Sequence, residues 1–430
     1  MGFEGKRSSS SDGLRPLPRE DTPLLGSYQE QQPLSSQPKA FANIFIAIVG
    51  AGVLGLPYTF MKCGWITSLL TICAVATLTC YCMMLLVRTR RKLESCNSFL
   101  SISSFGDVGF AVCGPIGRFA VDVMIVLTQG GFCVGYLIFI GQTLANLYNT
   151  NANLRMPPKL WGIAAKSIYI WACFPFQLGL NAIPTLTHLA PLSIFADVVD
   201  VGAMGLVMAE DVSTFIKQTS VSIEAFGNLS TFFYGLGVAV FSFEGVGMAL
   251  PLESEMKDRS KFGKLLALSM FLIAVLYGSF GILGYLAFGE NTQDIVTANM
   301  GRGLLSTLIQ LGLCVNLFLT YPLMMHPVYE VIERRFWEGK YCLWMRWALV
   351  LGVSLVALFV PNFADFLSLV GSSLCCVLGF VLPALFHYVV FKEEMEWKGA
   401  LTDMGIIVLG VLLGVMGTWS SLSEIFSVKA

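Results

Sequence analysis

Two short stretches hold residues whose types and spacing could do chemistry. The first, "VGAGVLGLP" over 49–57, spells GxGxxG. The second, "FEGVGMALP" over 243–251, repeats its elements, with Gly245 and Gly247 followed by Pro251 as Gly50 and Gly52 are followed by Pro57. GxGxxG after an apolar run is the spelling of a dinucleotide-binding turn, in which glycines let backbone approach a pyrophosphate. That chemistry needs an acidic residue about 20 positions further on to hold the ribose. No Asp or Glu occurs between Gly50 and Leu93, and Pro57 interrupts the helix that should follow. The nucleotide reading fails.

A broken helix is the other chemistry these residues can do. Glycine loosens a helix and proline deletes a donor, so a break leaves unpaired N–H groups at one half-helix start and unpaired C=O groups at the other half-helix end. An amino acid zwitterion needs both, amides for its carboxylate and carbonyls for its ammonium. Gly50, Ala51, Gly52, Val53, Phe243 and Gly245 are expected to line such a site through backbone, with Tyr136 and Asn316 adding side chains at similar depth. The alternative is that the glycines only allow close helix packing. Two clusters in matching positions of two halves favour the binding break.

Charge deep in an apolar segment marks function by default. Glu244 stands directly before the second break, where it would carry a coupling proton, brace the unwound backbone or face water. Asp197 and Asp200 share a helix face at i, i+3 and either take part in proton coupling or line an aqueous vestibule. The three histidines, His188, His326 and His387, are scattered, so no metal-ligand or nucleophile spacing emerges. No metal, no cofactor and no enzymatic activity are expected.

The elements that must position these residues follow from composition. The 430 residues are 55% hydrophobic and 13% charged, with a mean hydropathy of +0.70. Ordinary soluble domains carry roughly 25% charged residues. The net charge of −1 leaves no basic excess for nucleic acid. Cysteines sit in apolar runs such as "TCYCMM" and "SSLCCVLG", where a thiol acts as a small hydrophobe, and no disulfide framework is expected. Eleven segments are long and apolar enough to cross a lipid bilayer as helices: 40–62, 65–88, 118–149, 159–179, 186–209, 225–252, 263–288, 303–330, 344–360, 363–391 and 403–425. The fold expected is an all-α membrane protein of eleven transmembrane helices. Helices 1 to 5 (40–209) and 6 to 10 (225–391) form a 5+5 inverted repeat, 403–425 is the eleventh helix, and helices 1 and 6 are broken.

Lys and Arg gather in the N-terminal tail and in the connections 88–118, 257–264, 334–346 and 392–398, which places these and the N-terminus in the cytosol. Residues 1–39 are polar, Pro-rich and without periodicity, a disordered cytosolic tail. Within it, "EDTPLL" sets Glu20 before Leu24 and Leu25 at the spacing of an acidic dileucine signal, which a sorting adaptor would read; chance is the alternative.

"NIFIAIVGAGVLGLPYTFMKCGW", "FGDVGFAVCGPIGRFAVDV" and "AVFSFEGVGMALPLESEM" are similar to the amino acid/auxin permease family, in its branch of proton-coupled amino acid transporters, and most like the plant vacuolar members. The resemblance covers essentially all of 40–425. It implies a LeuT-type core of ten helices plus an eleventh, and proton-linked symport of small neutral amino acids. For the vacuolar branch it further implies a multi-pass tonoplast protein exporting from lumen to cytosol. Animal members carry a His where this chain has Asn43, so a proton role for that His does not transfer. The alternative function is an amino acid sensor that binds substrate and signals with little transport.

Overall fold

A computed structural model describes residues 36–96, 102–151, 159–160, 163–184, 190–217, 222–300 and 303–427. Glu20, Leu24 and Leu25 lie outside these residues, as does almost all of the 1–39 tail. Fourteen α-helices are described: α1 (Gln37–Ile48), α2 (Leu56–Cys63), α3 (Trp65–Cys96), α4 (Phe105–Asn151), α5 (Ala165–Asn181), α6 (Ala190–Lys217), α7 (Leu229–Ser242), α8 (Ala249–Ser254), α9 (Phe262–Phe288), α10 (Leu304–Phe336), α11 (Leu343–Phe359), α12 (Phe363–Val370), α13 (Leu382–Phe391) and α14 (Trp397–Ser427).

Seven of the described helical stretches are long and apolar enough to cross a membrane, or eight if the bent pair α1 and α2 counts as one span. The stretch 229–254, which contains α7 and α8, is among the seven, and α11 is a shorter apolar helix. Backbone polar groups in hydrocarbon must be paired within the segment, which is why an apolar chain of this kind builds helices almost throughout.

The expected all-α architecture differs in one place. Lys159–Leu160 pairs antiparallel with Ile163–Ala164 as a minimal hairpin, β1 and β2, inside the segment read as helix from 159. Helix α5 begins only at Ala165. Helix α4 starts well before the expected 118, because Arg118 pairs with Asp107 at 3.2 Å and so neutralises the charge that had marked a boundary. The chain kinks there at Gly114, whose φ of 63° favours glycine and precedes Pro115. Between α12 and α13, Gly371–Cys375 and Val377–Val381 wind as π-helix, a wider turn often found at functional sites.

Helices α4 and α10 pack along each other, and α6 lies against both α9 and α10. Helix α14 touches α7, α12 and α13 but is mostly exposed, with only 17% of its most apolar window inside. Its contact is made by small polar groups. The hydroxyls of Ser368 and Ser421 lie 2.7 Å apart, and Ser420 donates to the Ser230 carbonyl at 2.9 Å.

Charged clamps close both ends of the α7–α8 region. Toward α3, Glu253 at the end of α8 is fully buried and pairs with Arg90, itself 1% exposed, while its other oxygen accepts from Arg91 Nε at 2.9 Å. Arg90 also donates to the Leu250 carbonyl at 3.2 Å. At the opposite end, Tyr234 Oη donates to Asp365 Oδ1 at 2.9 Å and Lys62 pairs with Glu424 at 3.0 Å. Removing one partner of a buried pair strands the other charge, at about 3–5 kcal/mol. Glu253→Ala should therefore lower the melting temperature of the detergent-purified protein markedly, whereas Lys340→Ala, at an exposed pair, should leave it unchanged; differential scanning fluorimetry reads both.

Candidate functional site

The helical hydrogen-bond ladder stops at matching places in the two stretches marked by glycine. Helix α1 ends at Ile48, Val49 closes it by donating to the Phe45 carbonyl at 3.0 Å, and Gly50 is fully extended (φ −154°, ψ −171°). A 3-10 turn over Ala51–Gly55 then leads into α2, and the two halves meet at 47°. Helix α7 ends at Ser242, with Phe243 and Glu244 donating back to Ala239 and Phe241 at 3.1 and 3.3 Å. Gly245 is again extended in φ (−166°), and a 3-10 turn over Val246–Met248 precedes α8.

These two interruptions press on each other. A Cβ on Gly52 would lie 2.7 Å from Ser242 Cα, and one on Gly245 would lie 2.9 Å from Ile48 Cγ1. Only glycine permits this crossing. Gly50 differs, with nothing within 4 Å of its Cβ position. Ala51 and Val53 are buried, and Val53 donates to the Gly50 carbonyl at 3.3 Å.

One side chain that the sequence did not single out ties the pair together. Tyr277 of α9 is fully buried, and its hydroxyl lies 3.3 Å from the Ile48 carbonyl and 3.2 Å from the Ser242 carbonyl. Its ring meets that of Phe243 with centroids 5.1 Å apart. The last carbonyl of each half-helix, which would otherwise have no partner in an apolar interior, converges on one phenol. Nothing in "FLIAVLYGSFG" distinguishes this tyrosine from a packing residue; only the three-dimensional crossing does.

The other expected residues stand on α4, α6, α10 and the second interruption. Asp200 is 6% exposed and within electrostatic reach of Tyr277. The side chain of Asp197 lies outside the described residues. Glu244 meets a different neighbourhood, where its carboxylate lies against the π-helical stretch at Gly379, 3.5 Å from that glycine's Cβ position and beside the 3-10 turn that restarts the helix. Tyr136 is buried on α4 one turn beyond Phe132, whose ring packs edge-on against Phe241 at 4.7 Å. Asn316 is buried on α10 and accepts from the Thr320 hydroxyl at 3.2 Å. Lys166, in the segment read as the fourth span, donates to the Val360 carbonyl and so caps the end of α11.

A family profile described as "Transmembrane amino acid transporter protein" matches residues 34–423. The chain belongs to that family. It is an amino acid transporter and not an enzyme. Among the relatives of this transporter, "Amino acid transporter AVT3B" of Arabidopsis thaliana is 66% identical over 410 residues, covering 95% of this chain and 97% of the relative. "Vacuolar amino acid transporter 3" of Saccharomyces cerevisiae is 28% identical, covering 94% of this chain and 59% of the relative. Solved structures share the fold at low identity. The inward-facing conformation of Mhp1 aligns with a TM-score of 0.60 at 13% identity, covering 90% of this chain and 89% of that one. MhsT in complex with L-phenylalanine aligns with a TM-score of 0.51 at 12% identity, covering 91% and 99%. The LeuT-like architecture is thereby shown, and nothing among these relatives supports the sensor alternative.

Each neutral hydrogen bond that Tyr277 makes is worth about 0.5–1.5 kcal/mol net, with more lost when a buried carbonyl is stranded. Tyr277→Phe should keep the fold, as judged by size-exclusion elution, and lower amino acid uptake roughly tenfold in reconstituted vesicles.

Proposed function

We propose that the transporter moves small neutral amino acids across the vacuolar membrane, from lumen to cytosol, driven by protons. The observation that carries this reading is the crossing of two interrupted helices, with Gly52 against Ser242, Gly245 against Ile48 and both terminal carbonyls turned to Tyr277. In this reading α1–α2 and α7–α8 are the broken first and sixth of eleven spans, and α5, α6 and α11 cross the bilayer as well. The N-terminus lies in the cytosol, in keeping with the distribution of Lys and Arg. The vacuolar names of the yeast relatives support the location.

The substrate carboxylate meets the amides of Ala51 and Gly52, which stand at a half-helix start where no intrahelical acceptor exists. Gly50, with open space beside it, gives access to that backbone. The ammonium shares the Ile48 and Ser242 carbonyl oxygens with Tyr277, each oxygen having two lone pairs. Tyr136, Asn316 and Phe243 bound the side-chain end, and Val53 and Gly245 hold the crossing in register. Glu244, Asp197 and Asp200 are the carboxylates on which a coupling proton would ride. The bundle then rocks around the fixed site to open it toward the cytosol. At the tail, Glu20, Leu24 and Leu25 are proposed to direct sorting through an adaptor.

Two outcomes follow. Labelled alanine or proline should enter proteoliposomes faster when a pH gradient, acidic on the donor side, is imposed; flux indifferent to the gradient would remove proton coupling and leave the transport assignment standing. Gly50→Val should insert and elute as wild type yet transport less than about a tenth as fast. Gly52→Val, meeting Ser242 backbone at 2.7 Å, should instead lose thermal stability.

A further inference from the structure

Beyond the carboxylates already weighed, α6 holds another. Asp211 is 0% exposed, and neither of its carboxylate oxygens has a hydrogen-bond partner among the described residues. It lies six residues before the end of α6 at Lys217, or about 9 Å along a helix rising 1.5 Å per residue. An ionised carboxylate in such a place, with neither water nor partner, would cost several kcal/mol. The charges packed around it do not offset this. Among the described residues the charge that acts on it is Glu210 on its own helix, of the same sign, while α9 and α10 are the helices packed on α6.

Asp211 also has a position that connects it to the site. Asp200, Met204, Val207 and Asp211 follow one another at four, three and four residues and are all buried, so they form one inward stripe of α6. Eleven residues separate the two aspartates, close to three helical turns or about 16 Å. At the other end of the stripe Asp200 lies within electrostatic range of Tyr277, whose hydroxyl faces both interruptions.

We infer that Asp211 is a proton-binding site of the transport cycle, set on the same inward stripe of α6 as Asp200. The inference rests on the proton-coupled reading above. The step is simple in its balance: the Asp211 carboxylate takes one proton from the acidic compartment to become a neutral carboxylic acid, and gives up that same proton when the bundle opens it to the other side. Burial without a partner is then the protonated state, and the ionised state belongs to the conformation in which water reaches α6.

The test uses the full-length protein in proteoliposomes, with labelled alanine as the probe. The readout is the ratio of flux with a pH gradient to flux without one. Asp211→Asn, which keeps the shape and cannot titrate, should bring that ratio to about one, while Asp211→Glu should keep it above one. Infrared difference spectra across a pH jump give a second readout that needs no transport. The wild type should show a protonated-carboxyl band that moves in Asp211→Glu and is missing in Asp211→Asn. Should the Asn variant fail to fold, the wild-type and Glu spectra still decide the matter. An Asn variant with the wild-type flux ratio, or a band unmoved in the Glu variant, overturns the inference. Absence of alanine flux in the wild type would instead overturn the small-neutral-substrate reading and leave the spectra to judge Asp211.

Discussion

The arrangement depends on a single obligation, that a peptide carbonyl deprived of its helical partner inside an apolar bundle must find another donor. Ile48 and Ser242 both carry this obligation, and they share the single Tyr277 O–H, 3.3 and 3.2 Å away. Because the phenol comes from α9, it makes the orientation of that helix a condition for both interruptions. Close approach is secured on the same side. A Cβ on Gly284 would lie 2.8 Å from the Pro57 ring carbons, so α9 lies flush against the first pair of half-helices. Hydrogen bonding fixes the depth of the crossing and glycine fixes its closeness.

Around this junction, rigidity is unevenly shared. The short helix α8 is anchored by two arginines of α3 on the buried Glu253, whereas at the other end a tyrosine–carboxylate bond ties α7 to α12 and a partly exposed Lys62–Glu424 pair ties α2 to α14. An exposed ion pair is worth roughly 0–1 kcal/mol, far less than a buried one is worth against losing a partner. The end bearing Glu253 is therefore the firmer of the two. A bundle that opens alternately would meet less resistance at the end bearing Lys62.

Much of this was legible in the residues, for reasons that can be named. The glycine and proline spacing singled out Gly50 and Gly245, and both stand in non-helical backbone, since a helix cannot readily continue through such a run into a proline. Lengths of apolar runs placed the helices at 263–288 and 344–360 closely but missed ends such as Cys96, Lys217 and Phe336 by six to eight residues, where polar residues continue the helix past its apolar part. Charge misled at Arg118, where an ion pair with Asp107 allowed the helix to begin early, and the hairpin at 159–164 was too short to leave a pattern. Tyr277 and Asp211 were invisible for a different reason. Each is unremarkable among its chain neighbours, one in an aromatic-rich apolar run and the other beside Glu210, and acquires its role only from what α9 and α6 bring near it.

The exposed last helix adds a mechanical consequence. Its apolar flank has little protein to lean on, yet its serines hold the α7 backbone at Ser230 and the Ser368 hydroxyl of α12 through short bonds. Lipid pressing on that flank, through acyl-chain length or lateral tension, is thus transmitted by a row of hydroxyls to the very helix that ends at Ser242. A bilayer of different thickness would thus act as a spring in series with the crossing at Ser242.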